Sequence, residues 1–179
     1  MRLSKSFIPA TIAGLSLLTN TLAIPQPAAA QSINRYKVFV ESIRVERDQR
    51  TKLVNFEGKL ELRGLFTALN VASPIYPQNG ATNPRANVQA NQGETLSANL
   101  EITDVTLSSG TSITVPLKAE LWELEFGGQG NDDYGVTTSG MTLDGSEQEV
   151  RTSIPVEISA DNRKERGGRV IVTFVAIKQ

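Results

Sequence analysis

The 179-residue chain contains no cysteine and no histidine. Without cysteine there is no thiol nucleophile, no disulfide and no thiolate metal ligand. Without histidine there is no imidazole acid–base catalyst and no His-held zinc or haem. Neither sign of charge dominates, with 18 Lys and Arg against 19 Asp and Glu. The strongly basic face that general nucleic-acid binding needs is therefore not expected. Tryptophan occurs once, as Trp122. These absences leave carboxylate chemistry, oxygen-ligated hard cations such as calcium, and binding without catalysis.

The first thirty residues read as an export signal. Arg2 and Lys5 make a positive start, Phe7 to Leu18 is a short apolar stretch, and Ala28-Ala29-Ala30 supplies small residues before Gln31. Those are the three parts of a cleaved secretory peptide. The apolar stretch is too short to span about 30 Å of hydrocarbon, so no integral membrane segment is expected in the mature protein. Cleavage after Ala30 leaves 149 residues as a single domain, 31–179. Arg2 and Lys5 leave with the signal, so 16 basic residues face all 19 acidic ones and the net charge becomes −3. Periplasm and extracellular medium are equally compatible with such a signal.

From Tyr36 onward the dominant pattern is alternation of period two, the mark of strands with one buried and one wet face. Val54, Phe56, Leu60, Leu62 and Phe66 share one parity, and Asn55, Glu57, Lys59, Glu61 and Arg63 share the other. Gly58 and Gly64 interrupt the apolar side, where glycine often marks a bend or bulge. The apolar parity changes near Glu41-Ser42, between Ile102 and Val105, and between Leu121 and Trp122. Such changes require an extra residue or a strand that moves between sheets, which favours a curved sandwich or barrel. Val150 to Ile158 alternates again, and Val170 to Ile177 is nearly continuous apolar, as in a central strand covered on both faces. Pro116 and Pro155 imply an edge or a bulge at each position. The expectation is an all-β antiparallel sandwich of about seven or eight strands, with a β-barrel as the other choice and no helix after the signal.

One connection is unusual. Residues 70–94 are rich in Asn, Ala, Gln and Pro, and connections longer than about 12–15 residues are uncommon unless functional or disordered. If strands simply alternate direction, the connections 70–94, 127–133 and 161–168 share one end, and those at 48–51, 108–111 and 144–148 share the other. Loops on a rigid scaffold concentrate binding residues. The end bearing the long connection is therefore the expected interaction face, carrying Tyr76, Asn79, Asp132, Asp133, Tyr134 and Asp161.

The sharpest local motif is Gly127-Gly128-Gln129-Gly130-Asn131-Asp132-Asp133-Tyr134-Gly135. It resembles one copy of the calcium-binding G-G-x-G-x-D-x-U-x nonapeptide. The resemblance implies calcium at Asp132 and Asp133. A single copy cannot form the site between successive turns, and a glycine-rich hairpin loop explains the same residues.

Trp122 sits among Glu120, Glu123 and Glu125. An exposed tryptophan with carboxylates suits carbohydrate stacking, but large aromatics usually fill sandwich interiors, and a buried Trp122 is expected. The locally basic run from Asp161 to Arg169 reads as a solvated hairpin tip. After Ala30 there is no Ser-x-x-Lys, and no carboxylate pair is singled out for catalysis. The functional expectation is therefore a non-enzymatic binding or structural module of the cell envelope or extracellular space, with a protein or polysaccharide partner. A calcium-dependent module using the 127–135 loop and a carboxylate-based glycan hydrolase are the alternatives.

Overall fold

The computed structural model describes residues 32–47, 59–77, 87–123, 133–159 and 168–179. All lie within the compact unit Gln31–Gln179. In chain order the strands are β1 (Ile33–Arg47), β2 (Leu60–Ala68), β3 (Val71–Ala72), β4 (Val88–Ala90), β5 (Thr95–Ser108), β6 (Ile113–Glu123), β7 (Asp133–Leu143), β8 (Glu149–Glu157) and β9 (Arg169–Lys178). No helix occurs among the described residues.

Every pairing is antiparallel, and the strands form two sheets. The first has the order β5-β1-β9-β8 and the second β3-β2-β6-β7, with β4 also on β2. The fold is a β-sandwich. Its core takes the inward parity of both sheets, including Tyr36, Val38, Phe66, Leu121, Ile154 and Phe174. Phe66 of the second sheet meets Phe174 of the first edge-on, with ring centroids 6.2 Å apart. Each large apolar side chain withdrawn from water in this way contributes roughly 1.5–3 kcal/mol.

Two of the three parity changes have the expected cause. In β1 the buried set Tyr36, Val38, Val40 gives way to Ile43 and Val45, and the pairing slips between Val40 and Ser42 against both neighbours. In β5, Leu100 and Ile102 give way to Val105 and Leu107 where Val38 faces Thr103 but Phe39 faces Glu101. Each is a bulge that turns the following side chains over. The third change does not occur in β6. Val115, Leu117, Ala119, Leu121 and Glu123 are all buried, in unbroken register with β7. Leu124 and Phe126 lie outside the described residues.

Gly64 marks no bulge, because β2 and β6 stay in register through it. It leaves room for an aromatic ring instead: a Cβ there would stand 2.7 Å from Phe66 Cζ. Pro155 lies on the edge strand β8. Pro116 lies in β6 just beyond the last β2–β6 pair, Ala68 with Leu117, and only its carbonyl is used, by the Leu69 amide. Strand β9 is central, yet its outward side is fully covered only at Val175, while Ile177 is exposed.

The segment 70–94 is not one end loop. After a turn at Leu69-Asn70, both at positive φ, the chain returns along β2 as β3, a bridge from Tyr76 to Gly64, and β4. This extra pass reverses the alternation of strand direction. The strand ends flanking 48–58 therefore lie at the same end as those flanking 124–132 and 160–167, since Arg47 pairs with Arg169 and Leu62 with Glu123. The connections 108–112 and 144–148 lie at the other end.

Candidate binding face

The outward faces of the two sheets differ in chemistry. The first sheet is laced with ion pairs. Arg35 meets Asp104, Lys37 meets Glu101 at 2.9 Å, Arg151 meets Glu41 at 2.8 Å, and Arg169 meets Glu46 at 3.1 Å. Such a face is solvated and neutral overall, and its pairs contribute little individually.

The second sheet presents a strip of aromatic and aliphatic side chains near the β6–β7 hairpin. Strand register aligns Arg63, Trp122 and Tyr134 in one row, and Leu65, Glu120 and Val136 in the next. Their shared parity follows from the inward placement of Leu62, Gly64, Leu121, Asp133 and Gly135. The Trp122 and Tyr134 rings are 5.5 Å apart and tilted by 42°. Trp122 is half-buried, Tyr134 is 39% exposed and Val136 is 46% exposed.

Polar groups border and fix this strip. The Tyr134 hydroxyl donates to Glu120 Oε1 at 2.9 Å, and Lys118 Nζ lies 2.9 Å from Glu120 Oε2. Burial alone would raise the Glu120 pKa, but the hydrogen bonds from Lys118 and Tyr134 and the lysine charge bring it below its ordinary 4.5. Burial raises the Tyr134 hydroxyl, and the Glu120 carboxylate adds to that rise. Glu120 thus remains an acceptor that orients the Tyr134 ring. At the neighbouring edge, Asn87 Nδ2 and Gln89 Nε2 donate to the two oxygens of Glu61 at 2.8 and 2.7 Å.

The expectation for Trp122 is corrected here: it stands on the outward face, because β6 keeps a single parity and places Glu123 inward in its stead. Of the proposed interaction residues, Tyr134 is exposed on this face. Tyr76 is only 7% exposed and is held by its backbone bridge to Gly64, so no partner can lie on it. Burial raises the pKa of its hydroxyl. Asn79, Asp132 and Asp161 lie outside the described residues.

Asp133 is 1% exposed and pairs directly with Glu123, which is 5% exposed. Opposed residues on one face bring their Cβ atoms about 4.5–5.5 Å apart. They occupy the two ends of the connection 124–132. Counting the β6 parity forward from Val115 reaches Glu123, a signal present in the sequence but masked by the apolar Trp122, Leu124 and Phe126. Among the described residues no group of three or more acidic side chains is placed to hold a metal ion.

The last residue of the glycine motif has a packing role. At Gly135 a Cβ would overlap the Glu157 carbonyl oxygen of β8. The absence of a side chain lets β8 approach β7, and the Ser159 amide donates to the Tyr134 carbonyl at 3.1 Å. This contact joins the two sheets beside the aromatic strip.

No family model and no curated protein matches the chain. Among solved structures it is similar to a C2 domain of plant Extended Synaptotagmin 1, at 12% identity over 82% of this chain and 94% of that one, with a TM-score of 0.34. It is also similar to a C2 domain protein from Ramazzottius varieornatus, at 12% identity over 80% and 89% of the two chains, with a TM-score of 0.29. Likeness at these scores carries nothing about ligand or chemistry. The class defined by the fold itself is the two-sheet antiparallel β-sandwich. Among the described residues there is no helix long and apolar enough to cross a membrane.

Proposed function

We propose that the chain is an exported, non-enzymatic module that binds polysaccharide of the cell envelope or extracellular space through the outward face of its second sheet. The observation that carries this reading is the Trp122–Tyr134 pair on a strand face, bordered by Arg63, Glu120 and Lys118. Sugar rings combine apolar C–H faces with hydroxyl rims. Rigid aromatics beside a few placed polar groups match both at small entropic cost. Residues 1–30 support export, and the lack of histidine and cysteine supports binding over catalysis.

Sedimentation with purified peptidoglycan, chitin and cellulose, and electrophoresis through gels containing soluble glucan, test the reading. The protein is expected to be retained by at least one of these, and Trp122→Ala to lose at least tenfold in affinity while keeping its fold. Retention by none, or retention unchanged in the folded variant, overturns it.

A second reading, a calcium-dependent module, rests on the glycine- and aspartate-rich sequence of 127–135 with Asp132 and Asp133. In that reading the carboxylates of Asp132 and Asp133 supply oxygen ligands to calcium.

A further inference from the structure

Each sheet of a sandwich has two edges, and an edge strand presents unpaired N–H and C=O groups that invite another strand. Three of the four edges here are guarded. Strand β8 carries Glu149, Arg151, Pro155 and Glu157. Strand β5 carries Glu101 and Asp104, and its backbone is distorted at Asn99, where φ is +47°. The edge beyond β2 is made of β3 and β4, only two and three residues long.

Strand β7 has none of these devices. Over its 11 residues it pairs with β6 without a slip, and from Tyr134 to Leu143 it has no charged side chain and no proline. It packs closely on β8 around Gly135 and Glu157, but its backbone hydrogen bonding to the first sheet among the described residues is the bridge from Tyr134 to Ser159 at one end. Beyond it, Val136, Thr138, Ser139, Gly140 and Thr142 are exposed.

The direction of the free groups follows from that bridge. The Tyr134 carbonyl points away from β6, to the Ser159 amide. Backbone direction alternates along a strand, so Val136, Thr138 and Gly140 also aim their N–H and C=O groups away from β6.

We propose that the β7 edge pairs with the β7 edge of a second copy of this chain, antiparallel and centred on Thr138. That register puts Thr138 opposite itself and the exposed Val136 opposite Gly140 of the second copy, where no side chain competes for space. No like charges meet, and the paired stretch ends where Ser159 takes over at Tyr134. A two-fold axis relating identical edges is the usual symmetry of such contacts. The two second sheets then join into one, with both Trp122–Tyr134 strips on the same side. Tyr134 lies four residues from the axis, so the two strips are offset by about 26 Å along the strands. Dimerisation and glycan binding remain separable, because neither requires the other.

Sedimentation velocity on the protein from micromolar to millimolar concentration tests this. The expected mass is twice that of one chain. Thr138→Lys and Thr138→Glu, each placing like charges face to face, should sediment as single chains with unchanged circular dichroism. An equimolar mixture of the two should recover the double mass, because Lys then faces Glu. Thr138→Pro, which removes the outward N–H without touching the β6 pairing, should also be a single chain. A wild-type protein that stays a single chain throughout overturns the proposal. So does a dimer that survives all three substitutions, or failure of the mixture to recover mass when both variants are folded.

Discussion

Gly135 on β7 and Glu157 on β8 meet backbone to backbone: the space a Cβ at 135 would need is filled by the Glu157 carbonyl oxygen. This is the corner where the edges of the two sheets touch, and Tyr134 stands immediately beside it. A side chain at 135 would push β8 outward and break the Ser159–Tyr134 hydrogen bond. Gly135→Ala is expected to cost about 1–3 kcal/mol, the usual range for overpacking. Denaturant unfolding measures this, and the midpoint should fall without a change in slope. An unchanged midpoint would mean that the two edges do not meet as described.

The contact between Phe66 and Phe174 is the direct aromatic link across the core. Phe174→Ala should cost about 3–5 kcal/mol. A double-mutant cycle with Phe66→Leu should show a coupling of about 0.5–1.5 kcal/mol beyond lost area. Simple additivity of the two variants would contradict an edge-on contact.

Acid should loosen the aromatic strip through Glu120. Its pKa is lower in the folded protein than its ordinary 4.5, with Lys118 and Tyr134 outweighing burial. A depressed carboxylate stabilises the fold above its unfolded pKa, and that stabilisation is lost as pH falls through the folded value. Stability of the wild type should therefore decline more steeply below about pH 4.5 than that of Glu120→Gln, which has no proton to gain. Parallel acid limbs for the two proteins would contradict the Glu120 network.

Much of this fold is legible in the sequence because burial on one face forces strict alternation. Tyr36 to Val45 and Leu96 to Leu107 announce their bulges by a change of parity, and both bulges occur. The face of Trp122 is not legible in the same way. A run of apolar residues at 121, 122, 124 and 126 fits a parity change as well as an outward aromatic, and only the register with β7 decides between them. The end-to-end placement of loops fails for a different reason. The pass formed by β3, the Tyr76 bridge and β4 contains few hydrophobic residues, because it lies along an edge and buries little beyond Ser73, Tyr76 and Ala90. Short edge strands leave almost no alternation to read.

Calcium dependence separates the two functional readings. If calcium binds at Asp132 and Asp133, adding it at a hundred times its dissociation constant should stabilise the fold by about 2.7 kcal/mol. Asp133→Asn should abolish that gain while leaving glycan binding in place. Melting curves that are identical with calcium and with chelator exclude the calcium reading and leave the aromatic face untouched.

Because Trp122 is the only tryptophan, its fluorescence reports on the proposed binding face without interference from any other indole. Titration with soluble oligosaccharides released from the glycan that retains the protein is the most direct measurement. A saturable shift in Trp122 emission is expected, with an affinity weakened at least tenfold in Tyr134→Ala. Saturable binding by calorimetry with no change in Trp122 emission, or no binding of any oligosaccharide, would contradict it.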